Sequence, residues 1–541
     1  NMATNTDIWL GSGASLTLVP ELDFQIKLDT TSSSTQLIVD ATFSDNFRLV
    51  EDLYVGCIVD LYDNSASTTV PASTHIVTSN DTTSFTISPA HSVGTLQDAT
   101  DFMVIRRYGA PCPTTKTGSI ARLNADNWLG LIESASFPTV EQEMKQMNIN
   151  LGSSRNFTHQ YKGIRTASGG NVGLVANHGV WLYYALGGCS TINGTFSATA
   201  ASSVTNAHTN NAHYLDIGSS AASKAFSDSL TAHNNQGPIF YRTATDSTVL
   251  LPYVLTSDGD AAANLTLLTL PSHNASGVIQ NPIQYTFVEA NGEDLPSFGL
   301  EQNLSKLETS NTYNTETGSA SESHNFVRVA RGNRVNTLTF TANENEEVKM
   351  TLDLNTRAVH KLKQSEAYQA RGGNSNDKTL FNFGSGANTI AATGEESLEP
   401  FFFSSGSFSI FGQQFLKVTN LSLTINNNLQ DKRFIGIGNK DVKSAIPAQR
   451  TYELSFTAMV TDDKLFEELF NETEIASGTS TIDLQFDKAN GEQIVLKFED
   501  YMMSASNFTI PDDKGPITVE GTVMPRTLNT CTVKTHWILQ G

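Results

Sequence analysis

Alternation of apolar and polar residues is the main pattern along this chain. Apolar side chains occupy every second position at 338–340, 348–354 and 484–486, with Thr, Lys, Asp or Gln between them. A period of two is that of a β-strand with one buried and one solvated face. Asn-Gly, Gly-Gly and Asp-Gly pairs lie between such runs and are typical of turns. The pattern predicts a mainly β protein.

Two short segments depart from the alternation and are predicted to be helices. Residues 179–186 follow Asn177, which we expect to act as the helix N-cap. Residues 464–470 follow a Thr-Asp-Asp sequence that would supply a cap and acidic residues for the first turn. The second segment also carries apolar pairs four positions apart, as one face of a helix requires.

The composition is that of a large acidic chain. It has 541 residues, with 34 Lys and Arg against 55 Asp and Glu, and a net charge of −21. This balance argues against general affinity for nucleic-acid phosphates. No stretch approaches the ~20 apolar residues of a membrane span. The apolar run that a secretory signal requires is also lacking, so no such signal is expected. The four cysteines are scattered without CxxC spacing, so neither a zinc site nor a disulfide framework is predicted.

Composition also divides the chain into predicted units. Polar stretches rich in Ser, Thr, Asn and Gly, at 190–235, 305–324 and 360–398, are predicted to be a surface insertion and long loops. The predicted units are an N-terminal β domain at 1–110, forming outer decoration, a first repeat at 125–358 with an insertion at about 188–282, and a second repeat at 400–541.

The two repeats are inferred from matching patterns. Residues 144–151 and 418–425 both alternate after a three-residue step, which a β-bulge would produce. Residues 287–295 and 486–494 share the motif FxxANGE. On both sides the order is strand, long loop, strand, short helix, hairpin and two further strands. We therefore predict one fold present twice.

This order of elements resembles the tail tube fold of long-tailed bacteriophages. The resemblance covers about 130–541, and its motifs stand at 166–170, 178–187, 421–429, 446–450 and 463–466. It implies two β-sandwich repeats, each with one helix, and a six-subunit ring whose sheets join into an inner barrel. With two repeats per chain, three chains would complete a pseudo-sixfold homotrimeric ring.

The resemblance also implies a biological setting. The chain would be a structural virion protein, made in the host bacterial cytoplasm, whose stacked rings form a tube for DNA ejection, in a non-contractile rather than a sheathed tail. Its partners would be copies of itself, the tape measure, terminator and baseplate proteins, and double-stranded DNA that passes without specific binding. Membranes and cofactors would play no part.

A tube requires an inner surface that does not hold DNA. Acidic side chains repel phosphates at short range, within a Debye length of about 8 Å. Candidates come from the polar faces of alternating strands, although each could equally face bulk solvent. The lumen-facing candidates are Glu347, Asp353, Asp487, Glu499 and Glu520.

Two basic segments are candidates for contact between rings. The stretches 152–171 and 427–448 are too long for hairpin turns and carry basic residues in a chain with few of them. Complementary charges could bring such loops to an acidic neighbouring ring, and the alternative is that the charges only keep the loops soluble. The inter-ring candidates are Arg155, Lys162, Arg165, Lys432, Arg433, Lys440 and Lys443.

The sequence offers little support for catalysis. His208, His213, His233 and Asp216 could be drawn as a metal site, but surface histidines in a polar stretch explain them better. No GxSxG or Cys–His signature occurs. We predict no enzymatic activity, no metal and no cofactor. Three alternatives stay open: another tail or baseplate ring component, a carbohydrate-binding adhesin, and a tail-associated glycan hydrolase.

Overall fold

The computed structural model describes most of the chain. The described residues are 9–21, 23–41, 47–67, 69–94, 100–111, 114–115, 131–147, 155–156, 159–194, 197–199, 214–216, 237–243, 250–259, 264–267, 277–280, 283–290, 295–306, 325–362, 400–410, 413–414, 417–434, 443–461, 481–488 and 492–535. Within these ranges β-strands dominate, which confirms the prediction of a mainly β protein.

The N-terminal part forms a small sheet of its own. Its strands are β1 (Trp9–Pro20), β2 (Phe24–Lys27), β3 (Gln36–Ile38), β4 (Phe47–Arg48), β5 (Ile58–Tyr62), β6 (Ser73–Asn80), β7 (Ser84–Ser88), β8 (Phe102–Ile105) and β9 (Thr114–Thr115). Six of them pair in the order β2-β8-β5-β6-β7-β3. Phe24, Tyr54 and Phe85 fill its core, which continues onto Val327 and Val329 of the following part of the chain.

The middle part alternates strands with a single short helix. Its elements are β10 (Leu131–Ser136), β11 (Thr139–Met147), β12 (His159–Ser168), β13 (Asn171–Val175), α1 (Trp181–Leu186), β14 (Gly187–Gly194), β15 (Ser197–Thr199), β16 (Tyr214–Asp216), β17 (Gly237–Thr243), β18 (Leu250–Gly259), β19 (Asn264–Leu267), β20 (Gly277–Gln280), β21 (Ile283–Glu289), β22 (Phe298–Lys306), β23 (Asn325–Asn343), β24 (Lys349–Asn355) and β25 (Ala358–Leu362). β1 pairs antiparallel with β22.

The C-terminal part is again built of strands. They are β26 (Gly406–Ile410), β27 (Gln413–Gln414), β28 (Val418–Asn426), β29 (Gln430–Lys432), β30 (Ser444–Ile446), β31 (Thr451–Met459), β32 (Ile482–Asp487), β33 (Gln493–Thr509) and β34 (Thr518–Thr535).

One large antiparallel sheet organises the molecule. Eight of its strands run in the order β10-β13-β24-β23-β28-β31-β34-β33, and the path continues through β32, β26 and β27. We call β10, β13, β24 and β23 the first block, and β28, β31, β34 and β33 the second block. The blocks join where β23 pairs with β28, from Thr337 opposite Asn426 to Asn343 opposite Asn420.

The blocks share the positions of their bulges as well as their strand order. In β10 the register against β13 shifts between Ile132 and Ser134. In β28 the register against β31 shifts between Val418 and Asn420. A bulge places an extra residue in one strand, bending it and increasing its twist. The first strand of each block is therefore bent at the same place.

A second pair of bulges also coincides. The register of β23 against β24 shifts between Val335 and Thr337, and that of β33 against β34 shifts between Met503 and Ala505. In both blocks this bulge precedes the turn that joins the two strands. The equivalent positions therefore follow by counting from each bulge: residue 337 matches 505, and residue 134 matches 420.

The structure corrects the alignment predicted from sequence. Residues 144–147 lie in β11, outside the large sheet, whereas residues 418–425 lie in β28. The counterpart of β28 is β10, which occupies the first position of its own block. The bulge expected at the start of 418–425 is confirmed.

The first predicted helix is confirmed, but its cap differs. α1 has Val180 at the N-cap position without a side-chain capping bond, so Asn177 is not the cap. The helix begins later than expected, at Trp181. Gly187 ends it in the left-handed conformation with φ of 103°, which a residue without Cβ adopts readily. The second predicted helix, 464–470, lies outside the described residues.

The stretch between β14 and β21 forms a separate sheet. Its order is β15-β20-β17-β18-β19-β16. β14 and β21 pair antiparallel, with Gly194 opposite Ile283, so the chain leaves and re-enters the main body at adjacent points. The same geometry would result from an insertion into one hairpin.

Candidate functional site

Among the strand edges of the large sheet that have no described partner, two belong to the outer strands of the two blocks. β10 pairs with β13 on one side and has no described partner on the other. β33 pairs with β34 along its length, but β32 covers its other side at residues 493–498 alone. Beyond residue 498 no described strand pairs with this side of β33, and an uncovered strand edge is a template for another strand.

Apolar side chains accompany the open edge of β33. Phe508 is 49% exposed and Ile510 is 70% exposed. Counting from the bulges, their counterparts in the first block are Phe340 and Ala342, both fully buried where β23 pairs with β28. Met502, nearby on β33, is 72% exposed. Contiguous exposed apolar residues mark surfaces that bind another protein.

A hairpin projects from the start of each block. β11 and β12 pair with each other over residues 139–168 and with no other described strand, and nearly all their side chains are exposed. β29 and β30 form a shorter hairpin between the first two strands of the second block. The segments 152–171 and 427–448, predicted to be loops, therefore contain strands.

The structure brings some of the inter-ring candidates together. Lys162 and Arg165 are exposed on β12, and Lys432 and Arg433 are exposed beside β29. The guanidinium of Arg433 donates to the backbone carbonyl of Arg165 at 3.1 Å, so the two hairpins are in contact. Arg155 is exposed in a short described segment before β12.

Two other candidates differ from the expectation. Lys443 is 7% exposed, and its Nζ lies 2.9 Å from an Oδ of Asp431 on the neighbouring strand. Lys443 is therefore buried, and its charge is paired within the hairpin, so it is not available to contact another ring. Lys440 lies outside the described residues.

The lumen-facing candidates separate into two groups. Asp353 and Glu520 are exposed on the face of the blocks opposite the apolar core. Glu347 lies at the turn before β24, bridged to Phe402. The carboxylate of Asp487 on β32 accepts hydrogen bonds from the Gln485 and Gln493 amides, and that of Glu499 on β33 accepts one from Asn529.

The open face of the blocks carries mainly hydroxyl side chains. They alternate with buried residues, as Thr339 does with Leu338 and Phe340. The hydroxyl residues of this face include Thr337, Thr339, Thr341, Thr351, Ser422, Thr424, Ser455 and Thr457.

One acidic residue of this face was missed from the sequence. Glu453 is exposed on β31 opposite Thr424, on the same face as Asp353 and Glu520. The alternation over 451–459 would have placed it there. Two basic residues that border the face are paired, Lys349 with Glu133 at 2.9 Å and Arg526 with Asp500. Among the described residues, the face thus offers mainly hydroxyl groups and carboxylates, and these two bordering cations are paired.

Comparison with known families identifies the chain. A family model described as phage tail tube protein matches residues 108–530. The chain belongs to the phage tail tube protein family. The match includes both blocks and both hairpins of this tail tube protein, and begins after the N-terminal sheet. No curated protein matches the chain.

Family membership fixes the general role of this tail tube protein. It is a structural component of a bacteriophage tail, and tail tube proteins assemble with themselves and with other tail proteins. Among the described residues, no three His, Cys, Asp or Glu side chains are grouped to bind a metal, and no helix is long and apolar enough to cross a membrane. The side chains of His208, His213, Asp216 and His233 lie outside the described residues.

Proposed function

We propose that three copies of this protein close into a pseudo-sixfold ring, and that such rings stack into the tube through which phage DNA leaves the virion. The observation that carries this proposal is the match between the internal β23–β28 junction and the two open edges. Each chain contains one complete junction, β23 with β28. The uncovered edges of β10 and β33 would form the same kind of junction with neighbouring chains.

Duplication of one fold within the chain supports the ring. The two blocks have the same strand order and share two bulge positions, which independent strands have no reason to share. We infer that the blocks derive from one ancestral unit, each forming a sandwich with the elements packed on its apolar face. Because each chain would then supply two of six equivalent units, three chains complete the ring.

The register of the proposed junction between chains follows from that of the β23–β28 junction within the chain. Ala342 pairs with Leu421 where the blocks join. Counting from the bulges, Ile510 takes the place of Ala342, and Ala135 takes the place of Leu421. We therefore infer that Ile510 lies opposite Ala135 of a neighbouring chain. Phe508 and Ile510 would then become covered, and both open edges would be paired.

The bore of such a ring suits DNA that passes without binding. Barrels of 16–18 strands already leave a water-filled channel, and eight strands from each of three chains would leave a wider one. We infer that the open face lines it, with Asp353, Glu453 and Glu520 among the lining residues. Each phosphate paired with Lys or Arg adds affinity, so a surface of hydroxyl groups and carboxylates avoids retaining DNA.

Stacking of rings would use the projecting hairpins. Both leave their blocks at the same end of the large sheet and carry exposed Lys162, Arg165, Lys432 and Arg433. We infer that they reach an acidic surface of the next ring. In this setting the partners would include the tape measure, terminator and baseplate proteins, after synthesis in the bacterial cytoplasm.

Native mass spectrometry tests the ring directly. Assemblies separated under mild conditions are expected to contain three chains or multiples of three, with three as the smallest closed species. A closed ring of six chains would contradict the pseudo-sixfold arrangement. Monomers that form no ring under any assembly condition would contradict the proposal as a whole.

A further inference from the structure

A basic cavity lies where the N-terminal sheet meets the large sheet. It has a volume of about 890 Å³, within the range of sites that hold a specific ligand or peptide segment. Asp23 is the one acidic residue among its described lining residues. Its arginines are Arg106, Arg107, Arg334, Arg357 and Arg450. In a chain with a net charge of −21, this concentration of positive charge is exceptional.

The deepest arginines of this cavity are bonded to neutral groups. Arg334 and Arg357 lie over the ring of Tyr108, at 3.6 and 4.6 Å from its centroid. Both guanidinium groups donate to backbone carbonyl oxygens. Arg357 is 4% exposed, and its Nε has no hydrogen-bond acceptor among the described residues. A buried cation such as Arg357, whose guanidinium donates to backbone carbonyl oxygens, favours an incoming anion, because a carboxylate would compensate its lost hydration.

The rim of the cavity is accessible. Arg450 donates to the Asn427 side chain and to the Leu186 carbonyl, and is half-buried. Arg106 pairs with Asp60 at 2.7 Å, and its side chain is 48% exposed. An incoming carboxylate can therefore reach the guanidinium groups from solvent.

The opposite end of the large sheet carries an acidic turn. Residues 343–347 join β23 to β24 and contain three glutamates, of which Glu344 and Glu346 are exposed. The backbone holds the turn in place, since the Glu344 N–H donates to the Thr419 carbonyl at 2.9 Å and the Glu346 N–H to the Asn343 carbonyl at 3.1 Å. Such a preformed turn loses little conformational entropy on binding.

The cavity and the acidic turn lie at opposite ends of the part of β23 that pairs with β24. Arg334 begins the part of β23 that pairs with β24, and Glu344 directly follows the end of β23, a separation of about 33 Å along an extended strand. Two such surfaces on one molecule cannot meet within it. They can meet between molecules stacked head to tail, a heterologous contact that repeats without limit.

We propose that the basic cavity of one ring receives the acidic turn 343–347 of a second copy of this chain in the adjacent ring. This assignment rests on the proposed stacking of rings and names its contact. The other turn at the same end, between β33 and β34, carries Asp512 and Asp513 but also Lys514, so its net charge is smaller. The charge difference favours 343–347.

A charge-exchange experiment tests the contact. The turn variant carries Glu344→Lys, Glu346→Lys and Glu347→Lys, and the cavity variant carries Arg106→Glu and Arg450→Glu. Each variant alone should form closed rings but require at least ~tenfold higher protein concentration to stack, because like charges meet at every contact of the turn variant and the cavity variant has lost the net positive charge of its cavity. Mixed in equal amounts, the two should form pairs of stacked rings, since the unaltered acidic turn of the cavity variant meets the unaltered basic cavity of the turn variant. Recovery in the mixture excludes misfolding as the cause of the single defects.

The control reverses the other turn. Asp512→Lys with Asp513→Lys should stack at the concentration of the unaltered protein, as judged by sedimentation and negative-stain images. Normal stacking by the turn variant, or no recovery in the mixture although both variants form rings, would overturn the assignment of the contact. In both cases closed rings of three chains would leave the ring proposal standing, so the two failures are distinguishable.

Discussion

The two blocks of the large sheet share one backbone plan but complete it differently. In the first block, β23 is covered by β28, and Phe340 is fully buried. In the second block, the equivalent edge of β33 has no described partner, and Phe508 is 49% exposed. The edge is therefore covered by the same chain in the first block. In the second block, we propose that a neighbouring chain covers it.

Blocking the open edge of β33 should have the largest effect on trimer formation. Phe508→Lys with Ile510→Lys would place two charges in the proposed junction, so trimer formation should weaken by at least ~100-fold. Analytical ultracentrifugation measures the loss. Val70→Lys, at another exposed apolar residue (64%), serves as the matched control and should leave the trimer intact. Trimers of unchanged affinity in the double variant would remove this edge from the interface.

Truncating the two matched phenylalanines should separate folding from assembly. Phe340→Ala should lower the free energy of unfolding of the single chain by about 3–5 kcal/mol, as for other buried aromatic residues. Phe508→Ala should change that energy by less than ~0.5 kcal/mol, since surface substitutions usually do so, but should weaken the trimer. Urea unfolding of unassembled chains and ultracentrifugation supply the two readouts. Equal losses of monomer stability would mean that Phe508 is already covered within one chain.

The hairpins of the two blocks differ in length, and their charges should act together. Reversing Lys162, Arg165, Lys432 and Arg433 to Glu should block stacking of closed rings, and added salt should weaken stacking of the unaltered protein. One reversal alone should do little, because an exposed pair contributes only ~0–1 kcal/mol.

Lys443 is a hairpin cation whose charge is already paired, and it serves as the contrast to the four exposed cations. Lys443→Glu should reduce the stability of the β29–β30 hairpin through Asp431 rather than act on stacking, because the Lys443 charge is already paired. Differential scanning calorimetry and sedimentation distinguish the two effects. Normal tubes from the fourfold variant at low salt would exclude the hairpins from the contact between rings.

The smallest expected effect is on the pH dependence of stability and concerns β25. After the first block the chain breaks between β24 and β25, whereas in the second block β34 continues as one strand. Burial, with Arg331 nearby, lowers the pKa of His360 on β25 to about 3. Its Nε2 accepts a hydrogen bond from the Arg331 Nε at 3.0 Å, which requires the neutral ring. Because the folded pKa lies below the ordinary value of ~6.5, the stabilisation is complete above that pH and is lost as pH falls toward 3.

His360→Gln retains a hydrogen-bond acceptor without this titration. The variant should therefore lose less stability than the unaltered chain between pH 6.5 and pH 4, in urea unfolding at each pH. An identical pH dependence in both proteins would show that His360 does not contribute to it.

Local patterns predicted local structure well. The period of two identified β23, β24, β28 and β32, and the three-residue step at 418–421 indicated the bulge in β28, because both depend on which side chains face the core. α1 was also recognisable from its own residues. The cap at Asn177 was wrong because a cap depends on where the backbone turns, which neighbouring packing decides.

Pairing between distant strands could not be obtained in the same way. Residues 144–151 resemble 418–425 in pattern, yet β11 pairs only with β12 in a projecting hairpin, and β10 takes the equivalent place. Many alternating segments satisfy one pattern, and the choice among them depends on long-range hydrogen bonding. The basic cavity likewise arises from residues far apart in sequence, such as Arg106 and Arg450.

A disulfide across the proposed junction tests the central claim most directly. In the protein carrying Ala135→Cys and Ile510→Cys, directly opposite residues would have Cα atoms about 4.5–5.5 Å apart, within the range that a disulfide spans, so mild oxidation can join them. Non-reducing gels should then show chains linked up to covalent trimers. The shifted pair Ile132→Cys and Ile510→Cys, on the far side of the bulge, should not link. Linked trimers from the first pair alone are the result we predict, and closed rings that never link through it would contradict the account.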